Sequence, residues 1–217
     1  FVSVFFGTLT VPLMAGLGTR ITRRRSAGLI AALLTALHPL LFYYGQEARM
    51  YAMLTCLGVL AGYLLFSSKG TPISVSPDLS ERDLTNADGP RWWLYVLVAT
   101  AAVYTHYFAF FLLAALALAY LRIQVFSGLQ SQEASRNRLG QLVGSHVTIG
   151  ILYIPWFFAF VSQLRRDSSY WQGEFKLAEA IPKVAVSFVG GETVTEATGL
   201  WLLLSLIHIS EPTRHRR

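Results

Sequence analysis

Long apolar runs constrain this chain more than any other feature of its sequence. The stretches 1–18, 27–44, 50–66 and 142–160 consist almost entirely of apolar residues. A helix that crosses a bilayer needs roughly 20 predominantly apolar residues. Charged residues make up only 14% of the chain, whereas soluble domains carry about 25%. The pattern predicts an all-α polytopic membrane protein that contacts a lipid bilayer.

One apolar run, residues 92–121, is too long for a single span. As one helix it would measure roughly 45 Å, whereas the hydrocarbon core of a bilayer is about 30 Å thick. We therefore divide it at Thr105-His106-Tyr107 into the spans 92–105 and 107–121. With a last span beginning at 200–203, we expect about six spans plus a truncated seventh in one domain, 1–203.

Basic residues indicate an orientation, because they concentrate in cytoplasmic loops. If the cluster at 20–25 is cytoplasmic, the loops 68–91 and 122–141 are cytoplasmic too, and 161–198 is an external loop. The cytoplasmic side then carries ten basic residues: Arg20, Arg23, Arg24, Arg25, Lys69, Arg82, Arg91, Arg122, Arg136 and Arg138. The outer side carries five: Arg49, Arg165, Arg166, Lys176 and Lys183. The net charge of +6 thus reflects topology, and no nucleic-acid partner is expected.

Three polar blocks fall on the outer side of this topology. They read "YYGQEARMY", "YTHY" and "LRRDSSYWQ". Their convergence predicts a binding site formed by these residues: Tyr44, Glu47, Arg49, Tyr51, His106, Tyr107, Arg165, Arg166 and Trp171. The competing interpretation is an interfacial belt of aromatic and basic side chains with no site.

Glu47 and Arg49 are the most informative pair in these blocks. Charged side chains are costly inside a bilayer, so we expect Glu47 and Arg49 to lie at a helix end or to face a water-filled cavity. Residues two apart on a helix do not face each other, so we expect no ion pair between them. Arginine suits phosphate binding because its planar guanidinium group can donate two parallel hydrogen bonds. Just before this block, His38-Pro39 predicts a kink inside a span.

The other two blocks carry further candidate side chains. His106, at a turn between two helices, could bind phosphate or carry a proton. Arg165 and Arg166 could attract an anionic head group, and Trp171 could stack on a sugar or a lipid. No Walker, dinucleotide-binding, CxxC or HExxH motif is present, which argues against nucleotide chemistry.

Both ends of the chain indicate a fragment. Residue 1 is Phe and already lies in an apolar run. The segment "LSLIHISEPTR" matches the translation of a sequencing adapter, so residues 204–217 are expected to be non-native read-through.

The blocks "LHPLLFYYGQEARMYAML", "VYTHYFAFFLL" and "IPWFFAFVSQLRRDSSYW" resemble bacterial membrane glycosyltransferases of the family 39 type. That RgtA/B/C/D-like group is related to protein O-mannosyltransferases and has the GT-C fold. The resemblance implies transfer of a hexose or mannose from a polyprenyl-phosphate donor at the outer face of the cytoplasmic membrane. The acceptor would be a glycan, a lipid or a protein.

The resemblance also implies roles for individual residues. Glu47 and Arg49 would lie in the donor or acceptor pocket, with His106 and Trp171 along its edge. Such enzymes place their general base in an external loop that would precede residue 1, so no catalytic residue is assigned and this chain alone is expected to be inactive. No cofactor is firmly implied, although a divalent metal is possible.

Two other classes of function fit the same composition. A transporter or flippase subunit of the envelope would place polar residues near mid-span and face broken helices toward each other. A non-catalytic membrane scaffold would need no site. The grouping of polar residues at one face favours the enzyme.

Overall fold

The computed structural model describes five continuous ranges of the chain and a few short stretches between 194 and 205. The continuous ranges are 1–47, 49–66, 91–126, 132–166 and 177–191. For some helical residues only the backbone is described: 124–126, 132–135, 164–166 and 177–179.

Helices form all the regular secondary structure of these ranges. They are α1 (Val2–Thr22), α2 (Arg25–Leu37), α3 (Pro39–Gln46), α4 (Tyr51–Leu65), α5 (Trp92–Thr105), α6 (Ala109–Phe126), α7 (Gln132–Arg166) and α8 (Leu177–Gly190). The all-α class predicted from the sequence is confirmed for the described residues.

Two helical stretches, Val2–Thr22 and Arg136–Gln163, are long and apolar enough to cross a membrane. Helices α2 and α3 pass the same test together, but they are bent by 54° at the break between them. Four shorter apolar helices are also present: Tyr51–Leu65, Trp92–Thr105, Ala109–Ile123 and Ala180–Gly190. The larger count of six spans and a truncated seventh stays a prediction.

The bend between α2 and α3 follows from Pro39. Proline has no N–H and disfavours the helical conformation of the residue before it. His38 accordingly adopts φ −69° and ψ 119°, and Pro39 opens α3. The apolar run 27–44 is therefore a bent pair of helices rather than one straight span.

The run 92–121 is also broken. Helix α5 ends at Thr105, His106 is extended with φ −162° and ψ 139°, and α6 begins at Ala109. The break thus lies at the turn where the sequence predicted a division.

Two predicted loops are partly helical, which corrects the loop assignments. Helix α7 begins at Gln132, inside the predicted loop 122–141, and α8 lies within the predicted external loop 161–198. The apolar residues Ile181, Val184 and Phe188 of α8 recur at helical spacing, a signal that the polar flanks obscured. The predicted cytoplasmic loop 68–91 lies outside the described residues except for Arg91, and the predicted read-through 204–217 lies outside them except for 204 and 205.

The helices pack as a row in which α2, α1, α4, α5 and α7 are successive neighbours, with α6 against α4, α5 and α7. Helix α3 contacts α1, α4 and α8. The buried core lies among α4 to α7 and contains these residues: Ala61, Leu64, Leu65, Tyr95, Val98, Ala99, Ala102, Val103, Ala109, Leu113, Tyr120, Leu142, Ile149 and Tyr153.

Large apolar side chains also cover the outside of the helices. Leu29 is 69% exposed, Phe111 72% and Phe158 69%. Soluble proteins rarely expose contiguous apolar surface on this scale. The distribution is typical of helices that face lipid.

Glycines allow the closest helix approaches. A Cβ added at Gly28 of α2 would collide with the carbonyl oxygen of Ala15 and with the Thr19 hydroxyl, both on α1. Small residues at such crossings let helix backbones approach within a membrane, where packing replaces the hydrophobic effect as the force between helices.

Replacing Gly28 by alanine should therefore destabilise the α1–α2 pair. The backbone oxygen of Ala15 cannot move aside, so we expect a loss of about 1–3 kcal/mol from overpacking. The measurement is the midpoint of SDS-induced unfolding of the detergent-purified chain, followed by circular dichroism. Gly144→Ala is the matched control, because nothing lies within 4 Å of its added Cβ and alanine favours helix. Equal midpoints for the two variants would contradict the close crossing.

Candidate functional site

The described parts of the three polar blocks lie at the same end of the helix bundle. The rings of Tyr51, at the start of α4, and His106, at the α5–α6 break, are 6.0 Å apart. The rings of Tyr107 and Phe160, near the end of α7, are 6.1 Å apart. The fold thus brings together segments that are far apart in sequence.

Four of the nominated residues form a continuous row of rings. Tyr44 and Tyr51 have ring centroids 4.8 Å apart, and Tyr51 continues the row to His106. His106 stacks on Tyr107 at 4.4 Å with an interplanar angle of 29°. The row therefore connects the end of α3 to the α5–α6 turn.

Glu47 and Arg49 form an ion pair, contrary to the prediction that they would not face each other. Arg49 Nε lies 3.4 Å from Glu47 Oε2. The prediction assumed a continuous helix, but α3 ends at Gln46 and Glu47 is extended, with φ −75° and ψ 142°. An extended residue lets side chains two apart meet.

The two partners differ in exposure. The Glu47 side chain is 24% exposed and that of Arg49 is 61% exposed. Glu47 Oε2 is buried and makes no hydrogen bond within the described structure, so its contact with Arg49 is electrostatic. The pair uses the Nε side of Arg49 and leaves a guanidinium that is mostly open to a ligand.

Arg49 is also tied to the first helix. Ser3 Oγ donates a hydrogen bond of 3.3 Å to the Arg49 carbonyl oxygen. Both Ser3 and Arg49 line a cavity of about 380 Å³ with Phe1, Val2, Met50 and Met53. The charged pair therefore lies where α1 begins and α4 begins.

His106 terminates α5 with its backbone and caps the next turn with its ring. Its N–H donates to the Ala102 carbonyl oxygen at 3.1 Å, and its Nδ1 accepts from the Phe108 N–H at 3.1 Å. Because Nδ1 is the acceptor, a neutral ring carries its proton on Nε2. His106 therefore offers a hydrogen-bond donor at Nε2.

A cleft of about 360 Å³ opens beside His106, between the α5–α6 turn and α7. It is lined by Met50, Val103, Tyr104, Thr105, His106, Tyr107, Tyr153, Trp156, Phe160 and Gln163. Aromatic faces dominate the lining, and His106, Thr105 and Gln163 supply polar groups. A few polar groups on an apolar wall are typical of small-molecule sites.

The wall contributed by α7 was missed from the sequence. Tyr153, Trp156, Phe160 and Gln163 line the cleft and recur at intervals of three and four along the helix, which places them on one face. Trp156 lies 6.1 Å from the ring of Tyr104. That helical spacing was the available signal, but no role was predicted for these residues from the sequence.

The remaining nominated residues are described only in part. Arg165 and Arg166 are the last residues of α7, close in sequence to Gln163 at the cleft, but their side chains are not described. Trp171 lies outside the described residues. No group of three His, Cys, Asp or Glu side chains that could hold a metal is found where side chains are described.

No protein-family model matches the chain, and no significant match was found among curated proteins or solved structures. The class that the fold and the site define is therefore a helical protein with membrane-spanning character and an aromatic cleft at one end. The resemblance to glycosyltransferases stays a proposal.

Two substitutions of His106 can separate the hydrogen bond that its side chain accepts from the packing contacts that its ring makes. His106→Ala removes the acceptor for the Phe108 N–H and should lower the unfolding free energy by about 1 kcal/mol. His106→Asn keeps a side-chain acceptor, since asparagine bonds its own backbone two residues on, and should unfold near the parent midpoint. SDS unfolding followed by circular dichroism measures both. If asparagine is as damaging as alanine, the ring contacts rather than the cap hold this turn.

Proposed function

We propose that this chain is part of the transmembrane domain of a GT-C-type membrane glycosyltransferase that uses a polyprenyl-phosphate-linked sugar. One observation carries the proposal: the Glu47–Arg49 pair and the cleft beside His106 lie at the same end of the bundle and share Met50 as a lining residue. A charged anchor next to an aromatic cleft suits a ligand with a phosphate and a sugar.

The chemistry of the two parts is complementary. The open guanidinium of Arg49 can bind a phosphate through parallel N–H groups. The faces of Tyr104 and Trp156 offer a flat apolar wall for a sugar ring, and His106 Nε2 and Gln163 offer polar contacts to its hydroxyls. Glu47 holds Arg49 in place and is therefore assigned to the pocket rather than to proton transfer.

The proposed reaction is a single displacement. A carboxylate removes the proton of the acceptor hydroxyl as the oxygen bonds to the anomeric carbon. The bond from that carbon to the phosphate oxygen breaks, and the lipid phosphate leaves with the electron pair. Arg49 stabilises the negative charge that develops on it. The carboxylate that acts as base is not assigned to a residue.

The distribution of charge supports an outward-facing site. Arg20 lies at the far end of α1 from Ser3 and Arg49, and the exposed residues Arg23, Arg24 and Arg25 follow it. Basic residues concentrate on the cytoplasmic side of membrane proteins. With the Arg20 end of α1 in the cytoplasm, the cleft opens to the outside of a bacterial cytoplasmic membrane. The acceptor of the sugar on that side is a glycan, a lipid or a protein.

Binding of two ligands by the detergent-purified chain tests the proposal. The probes are a short-chain polyprenyl-phosphate mannose and the same polyprenyl phosphate without sugar, titrated by native mass spectrometry. Arg49→Gln should weaken both about tenfold or more, because it removes a charge-assisted hydrogen bond. Trp156→Leu should weaken only the sugar-bearing ligand, by about three- to tenfold.

Arg136→Gln is the matched control, since Arg136 is an exposed arginine of α7 toward the opposite end of that helix from Trp156. It should bind both probes as the parent does. Unchanged affinities for Arg49→Gln, or an equal effect of Trp156→Leu on both probes, would overturn the assignment of phosphate and sugar to these two parts.

A lipid-linked-sugar flippase is the second candidate, favoured by the broken helix pair. The 54° break between α2 and α3 borders a cavity of about 370 Å³ that Thr35, Ala36, Leu41 and Phe42 line together with residues of α1. Broken helices line substrate paths in transporters.

Vesicles that contain the chain and a fluorescent lipid-linked sugar separate the two candidates. A membrane-impermeant quencher should bleach only the outer-leaflet probe if the chain does not transport it, leaving roughly half the signal as in protein-free vesicles. Loss of nearly all the signal would favour the flippase.

A further inference from the structure

The turn between α1 and α2 presents three consecutive exposed arginines, Arg23, Arg24 and Arg25. Arg23 is in the left-handed conformation, with φ 58° and ψ 23°. Thr22 Oγ1 donates to the Gly18 carbonyl oxygen at 2.7 Å and accepts from the Arg24 N–H at 3.3 Å. Thr22 therefore closes the turn, and its closure requires none of the arginine side chains.

A fourth arginine is fixed behind this turn. Arg20 Nη1 donates to the Tyr63 carbonyl oxygen at 3.0 Å, and Nη2 donates to the Tyr63 hydroxyl at 2.6 Å. The Arg20 Cζ also lies 3.5 Å from the centroid of the Tyr63 ring. Arg91, at the start of α5, adds a like charge close enough to act on Arg20. Positive charge thus accumulates at this end of the bundle.

The carboxylate that the structure describes lies far from these arginines. Glu47 pairs with Arg49, and the Arg49 carbonyl is bonded by Ser3 at the start of α1. Ser3 and Arg20 are separated by 17 residues of helix, or about 25 Å along the axis. Glu47 therefore does not neutralise the turn.

An apolar row begins one helical turn below Arg25. Leu29, Leu33 and Leu37 follow it at intervals of four residues and are 69%, 58% and 69% exposed. Residues four apart lie on one face of a helix. Helix α2 packs against α1 and α3, which leaves this face on the outside of the described bundle. The axial rise from Arg25 to Leu37 is about 18 Å, and the apolar row from Leu29 to Leu37 covers about 12 Å of it.

We propose that the α1–α2 turn binds the head group of an anionic phospholipid, whose acyl chains lie along the Leu29, Leu33 and Leu37 row. The phosphate of such a lipid accepts parallel hydrogen bonds from a guanidinium, and clustered basic residues at the membrane surface attract anionic lipids. The chemistry is independent of glycosyl transfer, because it uses the opposite end of α1 from Arg49.

The test is lipid binding by the detergent-purified full chain, measured by native mass spectrometry with phosphatidylglycerol and phosphatidylcholine of the same acyl chains. The parent chain should retain phosphatidylglycerol in preference. The double variant Arg24→Gln with Arg25→Gln should weaken phosphatidylglycerol binding by about 25-fold, at roughly fivefold for each charge removed. Arg23 is kept, so that the left-handed residue of the turn is unchanged.

Two controls make the result decisive. Arg136→Gln with Arg138→Gln removes the same charge elsewhere and should weaken binding less than about threefold. Soluble glycerophosphoglycerol should not compete at matched concentration, because it lacks the acyl chains. Circular dichroism checks that both double variants fold as the parent does.

Three outcomes would overturn the proposal. Equal retention of the two lipids by the parent would show that the turn does not select an anionic head group. An equal loss of phosphatidylglycerol binding in the two double variants would show that the net charge of the chain, and not the α1–α2 turn, determines the binding. Effective competition by glycerophosphoglycerol would make the turn a site for soluble anions instead of a lipid.

Discussion

Backbone hydrogen bonding at two helix breaks is the constraint on which the rest of the structure depends. An apolar environment offers no water to exposed N–H and C=O groups, so each break must satisfy its own. Pro39 brings no N–H to the first break, and the Phe42 N–H donates to the His38 carbonyl oxygen at 3.0 Å. At the second break the His106 ring accepts the Phe108 N–H. The second closure lies at the candidate site, and the first lies one helix, α3, before Glu47.

The breaks also segregate the chemistry along the bundle. Helix α3 and the α5–α6 turn deliver the Glu47–Arg49 pair and His106 to one end, whereas Arg20 and the α1–α2 turn lie at the other. The first end combines a partly buried ion pair with an aromatic cleft, which suits a small amphiphilic ligand. The second combines exposed arginines with an apolar row, which suits a lipid surface. Two sites of different chemistry can therefore share one bundle.

Sequence reasoning succeeded where a local rule applied and failed where side-chain direction mattered. The breaks at His38 and His106 follow from proline and from the length of an apolar run. The ion pair of Glu47 and Arg49 was not expected, because the geometry of a continuous helix was assumed across the end of α3. Trp156 was missed because an aromatic residue near a span end gives the same pattern whether it faces lipid or a cleft.

By itself the sequence determined the helical class, the two breaks and the concentration of basic residues at the α1–α2 turn, since each depends on residues close together in the chain. Only the tertiary structure decided that Tyr51 meets His106, that α7 supplies a wall of the cleft and that Tyr63 holds Arg20. Those contacts depend on which helices are neighbours and how each is rotated about its axis. Close packing at residues such as Gly28 sets both, and apolar periodicity leaves them undetermined when helices are apolar on every side.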